Sequence, residues 1–162
     1  MLQVSVDKGE IKMLTRLLPE QISTFWDVIK YAVEESLPPV VAEHPDKMNR
    51  ILSSALSGET TVWASYTKGE EGIKFEGIVL TQFTHDKVSE TKNLLIYCLY
   101  GYELVNKDSW LDGLMAIAKY AKSRNCSRVI AYTNEEQIIN VVNSLGGNTE
   151  YTFISFDLDK IV

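Results

Sequence analysis

The sequence predicts an α/β fold: a mixed sheet with helices on both faces. Three observations lead there. Strand-like and helix-like hydrophobic periods succeed one another in the order β-α-α-β-β-β-α-β-α-β. One segment, Leu94-Leu95-Ile96-Tyr97-Cys98-Leu99-Tyr100, is apolar without alternation, as a central strand buried on both faces must be. A strand–helix–strand run over 93–133 then requires a parallel pair joined by a right-handed crossover, whereas the hairpins before it are antiparallel.

Each element has its own signal. Glu10–Leu17 alternates enough for a first strand, and Pro19-Glu20 opens a helix, since proline at the first helical position sacrifices no hydrogen bond. Ile22, Phe25, Trp26, Ile29 and Val33 follow helical spacing until Pro38-Pro39. A second helix runs from about Asp46 to Ser57, with Met48, Ile51, Leu52 and Ala55 on one face and Gly58 as its stop. Thr60–Thr67 and Ile73–Phe83, joined by a Gly-rich charged turn, read as an antiparallel hairpin. The apolar strand at 93–101 follows the polar turn His85–Lys92. The helix opening at Ser109-Trp110 places Trp110, Leu114, Ile117, Ala118 and Ala121 on one side. Arg128–Thr133 is a further strand, Glu135–Leu145 a helix capped by Gly146-Gly147, and Tyr151–Leu158 alternates as a last strand.

The chain has 162 residues, 45% apolar and 23% charged, which suits one soluble domain spanning 1–162 with its own core. A net charge of −6 argues against a general nucleic-acid binder, whose affinity comes from Lys and Arg on phosphates. No apolar run approaches the roughly 20 residues that span a bilayer, and the N-terminus has no signal-peptide pattern. Cys98 and Cys126 read as reduced thiols, so a cytoplasmic location is expected. His44 and His85 are the only histidines and stand far apart, which leaves no metal-ligand cluster and no nucleophilic triad spacing.

The junction from strand 93–101 into the Ser109 helix carries the functional signal. A strand feeding a helix N-terminus suits an anion, because the first helical N–H groups lack partners and the dipole favours negative charge. Between Gly101 and Gly113, however, there is no glycine and only one basic residue, Lys107.

With two helices between its first and second strands, the element order over about 10–158 resembles the GNAT N-acetyltransferase superfamily. The resemblance implies a GNAT-like acyl-CoA N-acyltransferase fold, with acetyl-CoA as cosubstrate in a splay between the strands 93–101 and 128–133. The family's loop, Gln/Arg-x-x-Gly-x-Gly/Ala, falls on Asp108, Ser109, Trp110, Leu111, Asp112 and Gly113, of which only Gly113 agrees. An acid replaces the opener, and Leu111 replaces a glycine that lets backbone close on phosphate. Ser109 is a good N-cap that Asp112 completes as a capping box, using N–H groups a diphosphate would need. At ~6 Å and an effective dielectric of ~20, each carboxylate costs an approaching unit anion on the order of 2–3 kcal/mol. The family's second signature places a tyrosine in the helix after strand 128–133, where this chain has Val142.

Acetyl transfer to an amine needs a base, an oxyanion-stabilising N–H and a proton for the departing thiolate. Glu103, just past strand 93–101, is the candidate base and Tyr132 the candidate acid. Gly101 offers a bulge that frees a backbone N–H. Tyr100 and Tyr102 share one face, and with Gly101, Ser109, Trp110 and Gly113 they form the expected cofactor-binding set. Three readings stay open: an N-acetyltransferase acting on an amine; a catalytically silent GNAT-like binding or assembly protein, as a homo-oligomer or a bacteriophage structural partner in the virion; and a binder of another small ligand in the same splay.

Overall fold

The computed structural model describes residues 5–7, 10–102 and 107–162. The chain divides into two compact units, Met1–Ala131 and Tyr132–Val162, which are taken separately. In the first unit β1 (Ser5–Asp7), β2 (Glu10–Arg16), β3 (Thr60–Gly69), β4 (Gly72–Asp86), β5 (Thr91–Gly101) and β6 (Arg128–Ala131) form one sheet in sequence order. All neighbouring pairs are antiparallel except β5 and β6, which are parallel. β1 adds a short ladder ahead of the predicted first strand.

The helical stripe after Pro19 is broken into α1 (Pro19–Thr24) and α2 (Trp26–Glu34). Phe25, at φ −105° and ψ 18°, ends one helix and starts the other. The Thr24 hydroxyl donates to the Glu20 carbonyl at 2.8 Å, a local bond of the kind that bends helices. α3 (Lys47–Ser57) ends where expected, because Gly58 takes φ +86°, a left-handed conformation that costs glycine nothing.

Strand alternation sorts the core into two layers. Val62 and Ala64 of β3, Ile78 and Leu80 of β4 and Cys98 of β5 face Ile22, Ile29, Ala32, Val33 and Ala55 of α1–α3. Trp63, Val79 and Leu94 face the opposite way, onto Ile117 and Ala121 of α4 (Lys107–Ser123). Helices therefore cover both faces. Trp63 and Thr81 are buried together, with the indole Nε1–H donating to the threonine hydroxyl at 3.0 Å. α4 ends with Asn125 at φ +63° and the Cys126 N–H on the Ala121 carbonyl (3.0 Å), after which Ser127 N–H meets the Lys92 carbonyl (2.8 Å) and starts the parallel ladder.

In the second unit α5 (Glu136–Ser144) is closed by Gly146 at φ +79° and by the Gly147 N–H on the Val142 carbonyl (2.9 Å). A Cβ at Gly147 would collide with Val142 Cγ1, so the second glycine is required sterically. The predicted strand Tyr151–Leu158 is not formed. Residues 151–157 carry no regular structure, and α6 (Leu158–Ile161) begins at Asp157, whose carboxylate accepts from Asp159 N–H at 3.1 Å. Alternation makes a segment fit for a sheet face, but a strand exists only where a neighbour completes its hydrogen bonds. None of the described strands pairs with this segment.

Candidate functional site

β5 runs past its partner. The parallel rungs are Asn93↔Arg128, Leu94↔Val129, Leu95↔Ile130 and Ile96↔Ala131, and there the ladder stops. β5 continues through Tyr97–Gly101 paired with β4 alone among the described strands. A strand edge left open presents backbone donors and acceptors to any extended, amide-bearing ligand that can lie along it.

The open stretch begins at an irregularity. Leu80 pairs with Cys98 but Thr81 pairs with Ile96, so Tyr97 is an extra residue opposite no partner. Such a bulge reverses which residues point to which face. Leu94 and Ile96 pack on the α4 side, whereas Tyr97, Cys98, Tyr100 and Tyr102 pack on the side of α1–α3. The bulge expected at Gly101 is thus four residues earlier, and Gly101 stays in register with Gly77. Gly77 is where backbone closeness is needed, since a Cβ there would lie 3.3 Å from the Tyr100 carbonyl oxygen.

The tyrosines converge. Tyr100 stands edge-on to Tyr102 (4.9 Å between centroids, 83°) and to Tyr31 of α2 (5.8 Å, 89°). The Tyr102 hydroxyl donates to the Val28 carbonyl at 2.9 Å, and its N–H to the Glu76 carbonyl at 3.0 Å. Burial first, then the neighbouring Tyr100 and Tyr31 hydroxyls, push the Tyr102 phenol up to about 12. The Tyr100 phenol is raised too, first by its hydrogen bond to Tyr31, with the Glu35 carboxylate adding a smaller push. Tyr31 and Glu35 therefore belong to this corner. Sequence reasoning passed over them because Tyr31 is exposed, off the buried stripe of α2, and nothing in the chain links position 31 to position 100.

The helix beyond starts earlier than expected. α4 opens at Lys107, so Ser109 lies in its first turn rather than at its N-cap. Asp108 is exposed in that turn, while Trp110 and Leu111 are half-buried. Gly113 lies against Leu14 of β2, where an added Cβ would sit 3.6 Å from Leu14 Cδ2. Here the glycine meets the sheet at ordinary packing distance. Glu103 lies outside the described residues. Tyr132 is the first residue of the second unit, with its ring 5.0 Å from that of Phe153. Cys98 is buried beside Ser36, and burial pushes its thiol up to about 11, against a nucleophilic role. Among the described residues no three His, Cys, Asp or Glu side chains gather as metal ligands, and no helix is long and apolar enough to cross a membrane.

This architecture defines a class. The mixed sheet, the helices α1–α3 after β2, and the parallel β5–β6 ladder of four rungs make the chain a divergent GNAT-like protein in fold. Solved acetyltransferases superpose on it along nearly their whole length. The aminoglycoside N-acetyltransferase AAC(6')-Iy in complex with CoA matches at TM-score 0.68 and 14% identity, over 94% of this chain and 98% of its own. An aminoglycoside acetyltransferase from an uncultured soil metagenomic sample, in complex with sisomicin, matches at 0.64 and 15%, over 89% and 93%. The ribosomal-protein-alanine N-acetyltransferase of Brucella melitensis biovar Abortus 2308 matches at 0.59 and 11%, over 89% and 98%. No protein-family model matches the sequence, and no curated protein matches it.

Proposed function

We propose that the protein is an N-acyltransferase that moves an acetyl group from acetyl-CoA to an amine. The observation that carries this reading is the stretch of β5 from Tyr97 to Gly101, which among the described strands pairs with β4 alone, begins at a bulge and precedes α4 in the chain. An amide-containing arm laid along that edge would add as a further strand, with its thioester near the tyrosine corner. The superposed acetyltransferases, one of them holding CoA, support the reading at the level of fold. It treats residues 1–162 as one GNAT-like domain.

In this reading Tyr100, Gly101 and Tyr102 line the arm, and Ser109, Trp110 and Gly113 belong to the helix facing the diphosphate. Glu103 takes a proton from the substrate ammonium. The amine nitrogen then attacks the thioester carbonyl, a C–N bond forms as the C–S bond breaks, Tyr132 supplies the thiolate's proton, and the second proton shed by the nitrogen restores the phenol. An open strand N–H holds the oxyanion. The helix start is the weak point, because Asp108 repels the diphosphate and Leu111 takes the room of a glycine.

Those two residues favour a second reading, a GNAT-like binding or assembly protein that no longer holds CoA. Acetyl-CoA titration followed by thermal unfolding separates the two. Binding to the native state stabilises it by ~2.7 kcal/mol at a hundredfold excess over Kd, which raises the melting temperature. A rise, with free thiol released when polyamines or aminoglycosides are added, supports the enzyme. An unmoved transition at millimolar acetyl-CoA leaves the second reading standing.

A further inference from the structure

At the other terminus of α4, remote from Lys107, a different group of side chains gathers. Tyr120 of α4 sits edge-on to Trp63 of β3 (5.3 Å, 80°) and stacks with Phe83 of β4 (6.0 Å, 27°). Three cations lie on this aromatic trio. The Arg16 guanidinium carbon is 4.7 Å from the Tyr120 ring centre and 5.9 Å from that of Trp63. The Arg124 guanidinium carbon is 5.3 Å from the same Tyr120 ring, and Lys92 Nζ is 4.3 Å from the Phe83 ring. Lys92 Nζ also donates to the Arg124 carbonyl at 2.9 Å, which ties the third cation to the second.

The gathering is unusual for its charge. The chain carries −6 overall, yet none of Arg16, Lys92 and Arg124 makes an ion pair with a carboxylate among the described residues. The nearby acid Asp86 is turned to its own loop, accepting from the Ser89 N–H and hydroxyl. Ring faces and the helix C-terminus offset part of the mutual repulsion of the cations. They leave the outward N–H edges of two guanidiniums unused. A guanidinium held over a ring has lost part of its freedom, and its fork suits a two-oxygen acceptor. Arg16 and Arg124 are exposed, so an incoming anion meets no steric barrier.

We propose that Arg16, Lys92 and Arg124 form a binding site for a phosphate dianion, free or as a monoester. Three positive charges suit a doubly charged group better than a single carboxylate, and two forks suit its tetrahedral oxygens. The net acidity of the chain disfavours a long polyanion such as nucleic acid, whose further phosphates would meet the same field. The site is independent of the acyltransfer reading, since it shares no residue with the β5 edge.

The test is titration of the full chain with inorganic phosphate at constant ionic strength, followed by amide and arginine Nε resonances. Saturable shifts confined to residues around Arg16, Lys92 and Arg124, tighter than those with acetate, are expected. Arg16→Gln and Arg124→Gln should each weaken phosphate binding about tenfold or more, the scale of a lost charged hydrogen bond. Arg124→Lys should fall between, because it keeps the charge and loses the fork. Adding glucose 6-phosphate and a short single-stranded DNA distinguishes a monoester site from a phosphodiester surface. Shifts that never saturate, equal affinity for acetate, tighter binding of DNA than of the monoester, or variants that bind phosphate like the parent protein would overturn the proposal. Arg124 follows the helix and is exposed, so its variants keep the test meaningful if Arg16→Gln folds poorly.

Discussion

Tyr102 and Val28 are joined by a hydrogen bond of 2.9 Å from phenol to backbone carbonyl, which fastens the residue just beyond β5 to the first turn of α2. That carbonyl already belongs to a helix, so the phenol is an added partner. Tyr102→Phe should cost about 1 kcal/mol, the net value of a typical internal hydrogen bond. Urea unfolding should show a lower midpoint at unchanged slope. An unaltered midpoint would mean that the ring alone holds the corner.

Alkaline pH should weaken the protein through the same corner. The folded state holds the Tyr102 proton up to about 12 and the Cys98 proton up to about 11, in both cases chiefly through burial. Both values lie above the ordinary 10.0 and 9.0. Between the ordinary and raised values the native state binds more protons than the unfolded one, so stability falls as pH rises. The contribution is complete below pH 9 and is lost progressively across 9–12. Melting temperatures at pH 8, 9.5 and 11 should decline, and the decline should be shallower in a Cys98→Ala/Tyr102→Phe variant.

Thiol labelling reads the same burial by another route. Cys98 is 2% exposed, whereas Cys126 is partly open. A disulfide reagent at pH 8 should modify Cys126 quickly and Cys98 only at the rate at which the sheet opens. Two equally fast thiols would show that the layer between β5 and α2 is loose.

Trp63→Phe should destabilise more than its lost area implies. The indole N–H is the donor to the Thr81 hydroxyl, which is 1% exposed between β3 and β5. Removing it strands a buried hydroxyl at a cost of about 1–3 kcal/mol. Trp63→Phe combined with Thr81→Val should recover part of that loss, and a double variant no more stable than the single would contradict the account.

An Asp108→Arg/Leu111→Gly variant tests the helix start. If those side chains alone oppose a diphosphate, the pair should tighten acetyl-CoA binding by tenfold or more, measured by calorimetry against the parent protein. Unchanged affinity would place the obstacle elsewhere.

Much of the sheet was legible because periodicity and turn chemistry report local rules. The β3–β4 hairpin, the apolar β5, the Gly58 cap and the parallel β6 were found where residue patterns put them. Tyr151–Leu158 failed because alternation describes a face and says nothing about a partner. The bulge was misplaced to Gly101 because glycine is the usual marker of irregular strand, whereas the extra residue is Tyr97, whose bulk gives no such hint. The Ser109 hydroxyl suits an N-cap, but α4 reaches back to Lys107. At the candidate site, the tyrosines of β5 were visible and Tyr31 was not, because their meeting is a property of the packed layers. The Arg16–Tyr120 stack was hidden for the same reason.

Neighbours in the sheet are also neighbours in the chain. From β1 to β5 each strand folds back on the one before it, and the β3–β4 and β4–β5 ladders close across short turns, whereas β2–β3 closes across three helices. Short closures cost little entropy and are fast. β6 must likewise wait for a helix, α4, to be laid across the sheet before its first parallel rung can form. Assembly should therefore run as a meander that is finished by a single crossover.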